Sequence, residues 1–313
     1  MKQFFILLMI LILVSCAGMK QAQQFYDQED YQAAIDECLL SIEKDSTNAE
    51  AHLILGKSYF ALGKTDEALS ALKKAEQISS NSKIAKEAKS EIISIKLKIG
   101  NNAAKEENYN RAFSEYKEIL AMDSTNFGAN FQLANAYAQN GWLIKAKKYY
   151  QKALAIDPTN IEIKNKLRRA DSLMHLAEVN FEKGKKFYLK RKNISASKYL
   201  KRALKYQADY KDAKYYFHMA QGKILYRKGS KSALWDAIEH FGKAMMIHEE
   251  LAEPHFFMAV AYEKKNRNEF DNAISEYKLA LEKEPDGKYA KKCKQKIREL
   301  TARRNKLRKF WGK

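Results

Sequence analysis

The triplet Gly63-Lys64-Thr65 would close a phosphate-cradling loop if a glycine stood five residues before Gly63 and a strand led into it. Ser58 occupies that place, and nothing before it alternates as a strand would, so the triplet reads as a turn between two helices. Six histidines (His52, His175, His218, His240, His248, His255) show no close ligand spacing, and no metal site is expected from them. Of the cysteines, Cys38 falls on a helical core position and reads as a small buried hydrophobe. Cys293 lies in a basic segment that would lower its pKa, but no partner base is in view. No Gly-x-Ser-x-Gly, zincin or paired-carboxylate arrangement is evident. No catalytic, cofactor-binding or metal residue is therefore assigned, and the chain is expected to be no enzyme.

The remaining cysteine has a setting of its own. After Lys2, residues Phe4 to Val14 form an apolar run of eleven, ending in Leu13-Val14-Ser15-Cys16. A positive start and a short apolar run are the parts of a secretory signal. At about 1.5 Å per residue the run is too short to span a bilayer of about 30 Å. Its ending resembles the bacterial lipobox. That resemblance implies removal of residues 1–15 and acylation of Cys16, with two or three chains giving persistent anchoring where one would not. It places the chain on the bacterial cell envelope. Ala17, rather than an aspartate, favours the outer membrane, facing the periplasm, if the host is Gram-negative.

The elements behind these residues are helical. Only 3 prolines and 12 glycines occur in 313 residues, so few positions break a helix. A string recurs: an alanine in one amphipathic segment, then a segment end reading Asp-x-x-Asn, as at Asp45–Asn48, Asp123–Asn126 and Asp157–Asn160. The alanines are Ala34, Ala68, Ala112, Ala146, Ala196, Ala237 and Ala273, at intervals of 34, 44, 34, 50, 41 and 36. A 34-residue period of paired helices, some lengthened, fits this series. The best units read Leu55-Gly56-x-x-Tyr59 with Ala68; Leu133-Ala134-x-x-Tyr137 with Ala146; and Met258-Ala259-x-x-Tyr262 with Ala273. Small residues at Gly56, Ala134 and Ala259 let two helices approach, and the tyrosines fill the space beside them. Near Ala237 that small position aligns only to His218.

This pattern resembles the tetratricopeptide-repeat (TPR) family over roughly residues 17–287. The resemblance implies an all-α, right-handed superhelical solenoid of about seven helix pairs, with inserted or extended helices and a C-terminal capping helix. The expected domains are a signal peptide (1–15), an N-terminal array of about four repeats (16–160), a basic C-terminal array of about three irregular repeats (161–287) and a basic helix or tail (288–313). The extra residues at Ser82–Lys98 and Ile161–Ala177 read as lengthened first helices or an added helix.

Two surfaces could carry function. By the resemblance, outward residues of the first helices line a partner groove: Leu53, Lys57 and Phe60; Phe131 and Asn135; Tyr215 and Lys223; Phe256 and Lys264. Aromatic and basic groups together suit an extended peptide or an amphipathic helix. The second surface is basic. The net charge is +19, and all of the excess lies in residues 161–313, which hold 38 Lys+Arg against 19 Asp+Glu. Lys183, Lys185, Lys186, Lys190, Arg191, Lys192, Lys201 and Arg202 lie in an acid-free stretch, and Arg303, Arg304, Arg308 and Lys309 follow near the end. Such density calls for counter-charges: lipid headgroups, lipopolysaccharide or an acidic polymer. Nucleic acid would fit the charge too, but an exported protein seldom meets it. The leading expectation is a non-catalytic scaffold, lipid-anchored to the cell envelope and holding a protein or peptide. The alternative is an electrostatic binder of an anionic surface or polymer.

Overall fold

The computed structural model describes residues 19–79, 81–266 and 270–311. Fifteen helices and no strand occur among them. In order they are α1 (residues 19–27), α2 (Tyr31–Lys44), α3 (Ala49–Ala61), α4 (Thr65–Ile78), α5 (Ser82–Lys105), α6 (Tyr109–Met122), α7 (Phe127–Gln139), α8 (Leu143–Ile156), α9 (Ile161–Leu189), α10 (Asn193–Tyr206), α11 (Lys211–Lys228), α12 (Lys231–Met245), α13 (Ala252–Lys265), α14 (Phe270–Lys283) and α15 (Ala290–Phe310). They form seven pairs followed by a single terminal helix. Odd-numbered helices open a pair and even-numbered ones close it. The chain has two compact units, one of residues up to 136 with 155–158, the other of 137–154 with 159 onward.

The Asp-x-Thr-Asn string, present at three of the junctions between pairs, does two jobs there. Asp45 Oδ1 accepts from Thr47 N at 2.9 Å and from Thr47 Oγ1 at 2.7 Å, which turns the chain. Asn48 then caps α3, its Oδ1 accepting from Ala51 N at 3.1 Å. Asp123 and Thr125 repeat the turn at 3.0 and 2.8 Å, and Asn126 caps α7 through Ala129 N at 2.9 Å. The threonine donors lower the pKa of both aspartates.

Within a pair the turn is equally regular. One residue adopts a left-handed conformation: Glu29, Gly63, Glu107, Gly141, Arg191 or Gly229. In the first five cases a buried alanine follows five residues later, at Ala34, Ala68, Ala112, Ala146 and Ala196. Gly63, at φ +76, is thus a helix-pair turn and carries no phosphate loop.

In four pairs the helices meet where the first presents a glycine. A Cβ on Gly56 would lie 2.5 Å from Leu72, on Gly100 2.6 Å from Tyr116, on Gly184 2.6 Å from Leu200, and on Gly222 2.4 Å from the Phe241 ring. The last of these corrects the expected register. The small residue opposite Ala237 is Gly222, and His218 lies one turn earlier on α11. Gly56, Gly100 and Gly184 each precede their alanine by twelve residues, whereas Gly222 precedes Ala237 by fifteen. Three extra residues between them hide the pattern in the sequence.

The larger insertions lengthen first helices, and no helix is added. α5 runs 24 residues and α9 29, against 13 for α3. In the first unit the added turns of α5 bury Ala88 and Ile92 with Leu53, Leu72 and Ala75. In the second, Phe181 and Tyr188 of α9 join Leu200, Met219 and Phe241 in one core. Helix α15 closes this unit, with Cys293 and Leu300 packed against Ala273, Tyr277 and Ala280. No described helix is long and apolar enough to cross a membrane.

Candidate partner-binding surfaces

In the first unit the expected groove residues divide by depth. Leu53 is buried in the core and lines no groove, because α5 covers it. Lys57 pairs across to Glu87 of α5. Phe60 is half-buried, with the Lys98 ammonium 4.8 Å from its ring centroid. On α7, Phe131 stacks on Phe127 at 5.9 Å and Asn135 Nδ2 donates to Gln132 Oε1 at 3.3 Å. Lys57, Phe60, Phe131 and Asn135 all keep part of their surface open to solvent.

In the second unit the corresponding space is filled from within. Tyr215 is 3% exposed, so it too belongs to the core and lines no groove. It faces a polar cluster that joins three first helices. Lys223 Nζ donates to Glu253 Oε1 at 2.8 Å and to the Tyr188 hydroxyl. Glu253 accepts from Tyr289 at 2.8 Å and from Tyr215 at 3.5 Å. The same ammonium lies 4.1 Å from the Tyr188 ring and 4.2 Å from the Phe257 ring, a cation–π arrangement. Phe256 stacks on Tyr289 at 4.4 Å. Burial lowers the pKa of Lys223, with Glu253 acting against it. Burial works upward on Glu253, but the Lys223 charge and the tyrosine donors outweigh it and hold the carboxyl below its usual range. Tyr188, Tyr215 and Tyr289 are all raised, by burial first and by the Glu253 charge second. The carboxylate is therefore ionised at neutral pH and its phenols stay protonated.

Tyr188, Glu253, Phe257 and Tyr289 were not legible as site residues. One signal was available: Lys57 and Glu87 stand 30 residues apart, as do Lys223 and Glu253. Each spacing carries a lysine of one first helix to a glutamate of the next. Lys264, by contrast, is exposed at the end of α13, where its Nζ donates to the Tyr226 carbonyl at 3.1 Å.

The residues of the basic stretch are exposed except for Lys185, which is half-buried. Lys183, Lys185, Lys186 and Lys190 lie at the end of α9 or just past it, Arg191 and Lys192 in the turn, and Lys201 and Arg202 on α10. Among the described residues none of these eight is ion-paired. Lys185 rests 5.5 Å from the Phe181 ring and Arg202 5.6 Å from Tyr199. The C-terminal cations are less free. Arg304 and Arg308 both reach Asp271, the latter at 3.6 Å, and Arg303 lies 5.6 Å from the Phe270 ring, so part of their charge fixes α15 to α14. Lys309 is exposed. Cys16 lies outside the described residues. Cys293 departs from the expected activation: its sulfur is fully buried and burial raises its pKa.

Sequence profiles match two segments of the chain. The profile described as tetratricopeptide repeat covers residues 127–160, one period long and coincident with α7 and α8. One described as anaphase-promoting complex, cyclosome, subunit 3 covers residues 17–75. No curated protein matches the chain. Similar solved structures include the TPR2AB domain of yeast Sti1 in complex with pHSP90, at 18% identity over 92% of this chain and 98% of that one, with a TM-score of 0.35. A tetratricopeptide-repeat protein from Parabacteroides merdae gives 13% over 92% and 98%, with a TM-score of 0.37. The tetratricopeptide-repeat protein YrrB, with an unusual peptide-binding site, gives 16% over 82% and 97%, with a TM-score of 0.30.

Proposed function

The chain is a tetratricopeptide-repeat protein, a member of a family of interaction scaffolds, and from that premise we propose that it is a non-catalytic adaptor tethered to the bacterial cell envelope through an acylated Cys16. The observation that carries the adaptor reading is the half-open set Lys57, Phe60, Phe131 and Asn135 on first helices of the first unit. Aromatic faces beside a cation and an amide suit an extended peptide or one face of a partner helix. The second unit has closed its equivalent space with the Lys223–Glu253 cluster, which supports seeking the protein partner on the first unit. The anchor reading rests on the Leu13-Val14-Ser15-Cys16 ending. In a Gram-negative host it puts the protein on the outer membrane, facing the periplasm.

Crosslinking in native envelopes tests the adaptor reading. Phe60→Glu with Phe131→Glu should abolish capture of the partner that the parent protein retains at high salt, with helical content unchanged. Capture that survives both substitutions removes this surface from consideration. The anchor is tested separately: Cys16→Ser should release the protein in a carbonate wash, and retention in the membrane fraction would end that reading.

A further inference from the structure

Short turns make successive helices antiparallel, so in the second unit all first helices end on one edge and all second helices begin there. Contacts across that edge agree. Lys264 at the end of α13 reaches the Tyr226 carbonyl near the end of α11, and Lys265 lies 3.5 Å from the ring of Trp235 at the start of α12. Arg304 and Arg308, late in α15, reach Asp271 at the start of α14.

The two edges differ in charge, one dominated by cations and the other mixed. This edge carries Lys190-Arg191-Lys192 in one turn, Arg227, Lys228 and Lys231 around the next, and Lys309 at the end of α15, all exposed. Of the described acids there, Asp271 is engaged as above and Glu263 by Lys296 at 2.6 Å, while Asp236 stands exposed in the second turn of α12. The opposite edge is mixed, with Asp209, Asp212, Glu249, Glu250, Glu284 and Asp286 alongside Lys205, Lys211, Lys283, Lys288, Lys291 and Lys292.

Large apolar side chains stand among the cations. Leu189 is 68% exposed and Ile194 76%, one on each side of Lys190-Arg191-Lys192; Phe310 is 77% exposed and Trp311 71%, directly after Lys309. A soluble polyanion would be recognised by charge alone. Alternating exposed apolar groups with cations gains free energy only where phosphate and hydrocarbon lie within a few ångströms of each other, as at a bilayer surface. Met246 and Ile161 are just as exposed on the opposite edge, but they stand among mixed charges, with Glu249, Glu250 and Glu162 beside Lys243 and Lys164, and no run of cations flanks them.

We propose that this edge docks on an anionic phospholipid bilayer, with Leu189, Ile194, Phe310 and Trp311 entering the interface and the flanking lysines and arginines meeting the headgroups. The proposal is independent of the adaptor reading, whose residues lie in the first unit. It is tested on a chain beginning at Ala17, which keeps every described helix and lacks both the apolar leader and Cys16, the latter removing any acyl contribution. Vesicles of phosphatidylcholine with phosphatidylglycerol are compared with phosphatidylcholine alone by cosedimentation. At roughly fivefold per cation near an anionic surface, Lys190→Gln, Arg191→Gln and Lys192→Gln together should weaken binding about a hundredfold. Leu189→Ser with Ile194→Ser, which leaves the charge intact, should weaken it at least tenfold. Both variants should keep the parent's circular dichroism and urea midpoint. Equal binding to neutral vesicles overturns the proposal. So does full vesicle binding by the serine variant together with release by soluble polyphosphate, which would make the edge a polyanion site.

Discussion

Replacing one partner of the Lys223–Glu253 pair should destabilise the second unit far more than replacing both. The side chains are 16% and 20% exposed. Removing one member of a fully buried pair costs about 3–5 kcal/mol, and this residual exposure brings the expectation to about 2–3. Lys223→Met leaves a carboxylate with tyrosine donors alone. Glu253→Gln leaves an ammonium with the Tyr188 oxygen and two ring faces. The double variant has no unpaired charge and should lie within about 1 kcal/mol of the parent, because a neutral pair of similar volume replaces a buried ion pair at little net cost. The coupling energy should therefore reach about 3 kcal/mol or more. All three tryptophans, Trp142, Trp235 and Trp311, belong to the second unit. Tryptophan emission during urea unfolding thus reports on that unit, while circular dichroism follows the helices of both units together. The pH dependence adds a second reading. Glu253 has its folded pKa lowered, so its contribution is complete above the unfolded value of about 4.3 and is lost as pH falls below it. The parent should lose stability more steeply below pH 4 than Glu253→Gln does. Single variants within 0.5 kcal/mol of the parent, or additive effects, would show that the cluster is a solvated ion pair and that the groove beside it is open.

The same unfolding assay checks the helix contacts. Gly222→Ala should cost about 1–2 kcal/mol, since overpacking against Phe241 outweighs a gain of up to about 1 kcal/mol in helix propensity, and Phe241→Leu should relieve it. Gly128→Ala, whose Cβ would meet Leu97 at an ordinary 3.4 Å, should instead stabilise by about 0.5–1 kcal/mol. The His218 pKa is pushed down to about 4 by burial and by His240, and His240 is lowered by burial. Both protonate near 6.5 when unfolded, so their contribution is full above that pH. It should decline by about 1–2 kcal/mol towards pH 4, and His218→Asn with His240→Asn should flatten the decline. Burial pushes the Cys38 thiol up to about 12 and raises Cys293. Neither should alkylate at pH 8 before urea unfolds the chain.

The pairs were legible because their cause is local. A small residue, an alanine twelve positions on, and an Asp-x-Thr-Asn junction all fall within one 34-residue stretch, and each is visible without its neighbours. What failed was spacing between helices. Gly222 escaped notice because three inserted residues broke the twelve-residue interval, and His218 took its place in the alignment. Tyr215 was misplaced for a different reason. Helical periodicity gives the direction in which a side chain points, but not whether the next pair covers it, and Glu253 with Tyr289 covers this one. Leu53 is covered likewise, by turns of α5 that the ordinary repeat lacks. Cys293 lies in a basic stretch, yet its side chain turns inward, and desolvation rather than the surrounding charge sets its pKa.

The turn between α9 and α10 breaks a local rule, and the breach can be measured. Asp30 and Asn108 precede α2 and α6 with φ,ψ of −83°,71° and −80°,68°, and each caps its helix by accepting a backbone N–H. Lys192 holds nearly the same conformation, −86°,65°, yet it makes no cap bond, and no acid stands in the first turn of α10. Lys64 is also uncapped, but Asp66 and Glu67 follow it to answer the helix dipole. At Lys192 the sequence forgoes a cap worth about 1 kcal/mol and sets a cation where the dipole disfavours it. A local rule broken without local compensation is expected where a surface serves a partner. Lys192→Asp should therefore raise the stability of the second unit by about 1–2 kcal/mol and, by removing one cation and adding an anion, weaken binding to phosphatidylglycerol vesicles at least fivefold. A more stable protein that binds vesicles as well as the parent would leave the uncapped helix unexplained by membrane docking. A less stable one would show that the lysine serves the fold.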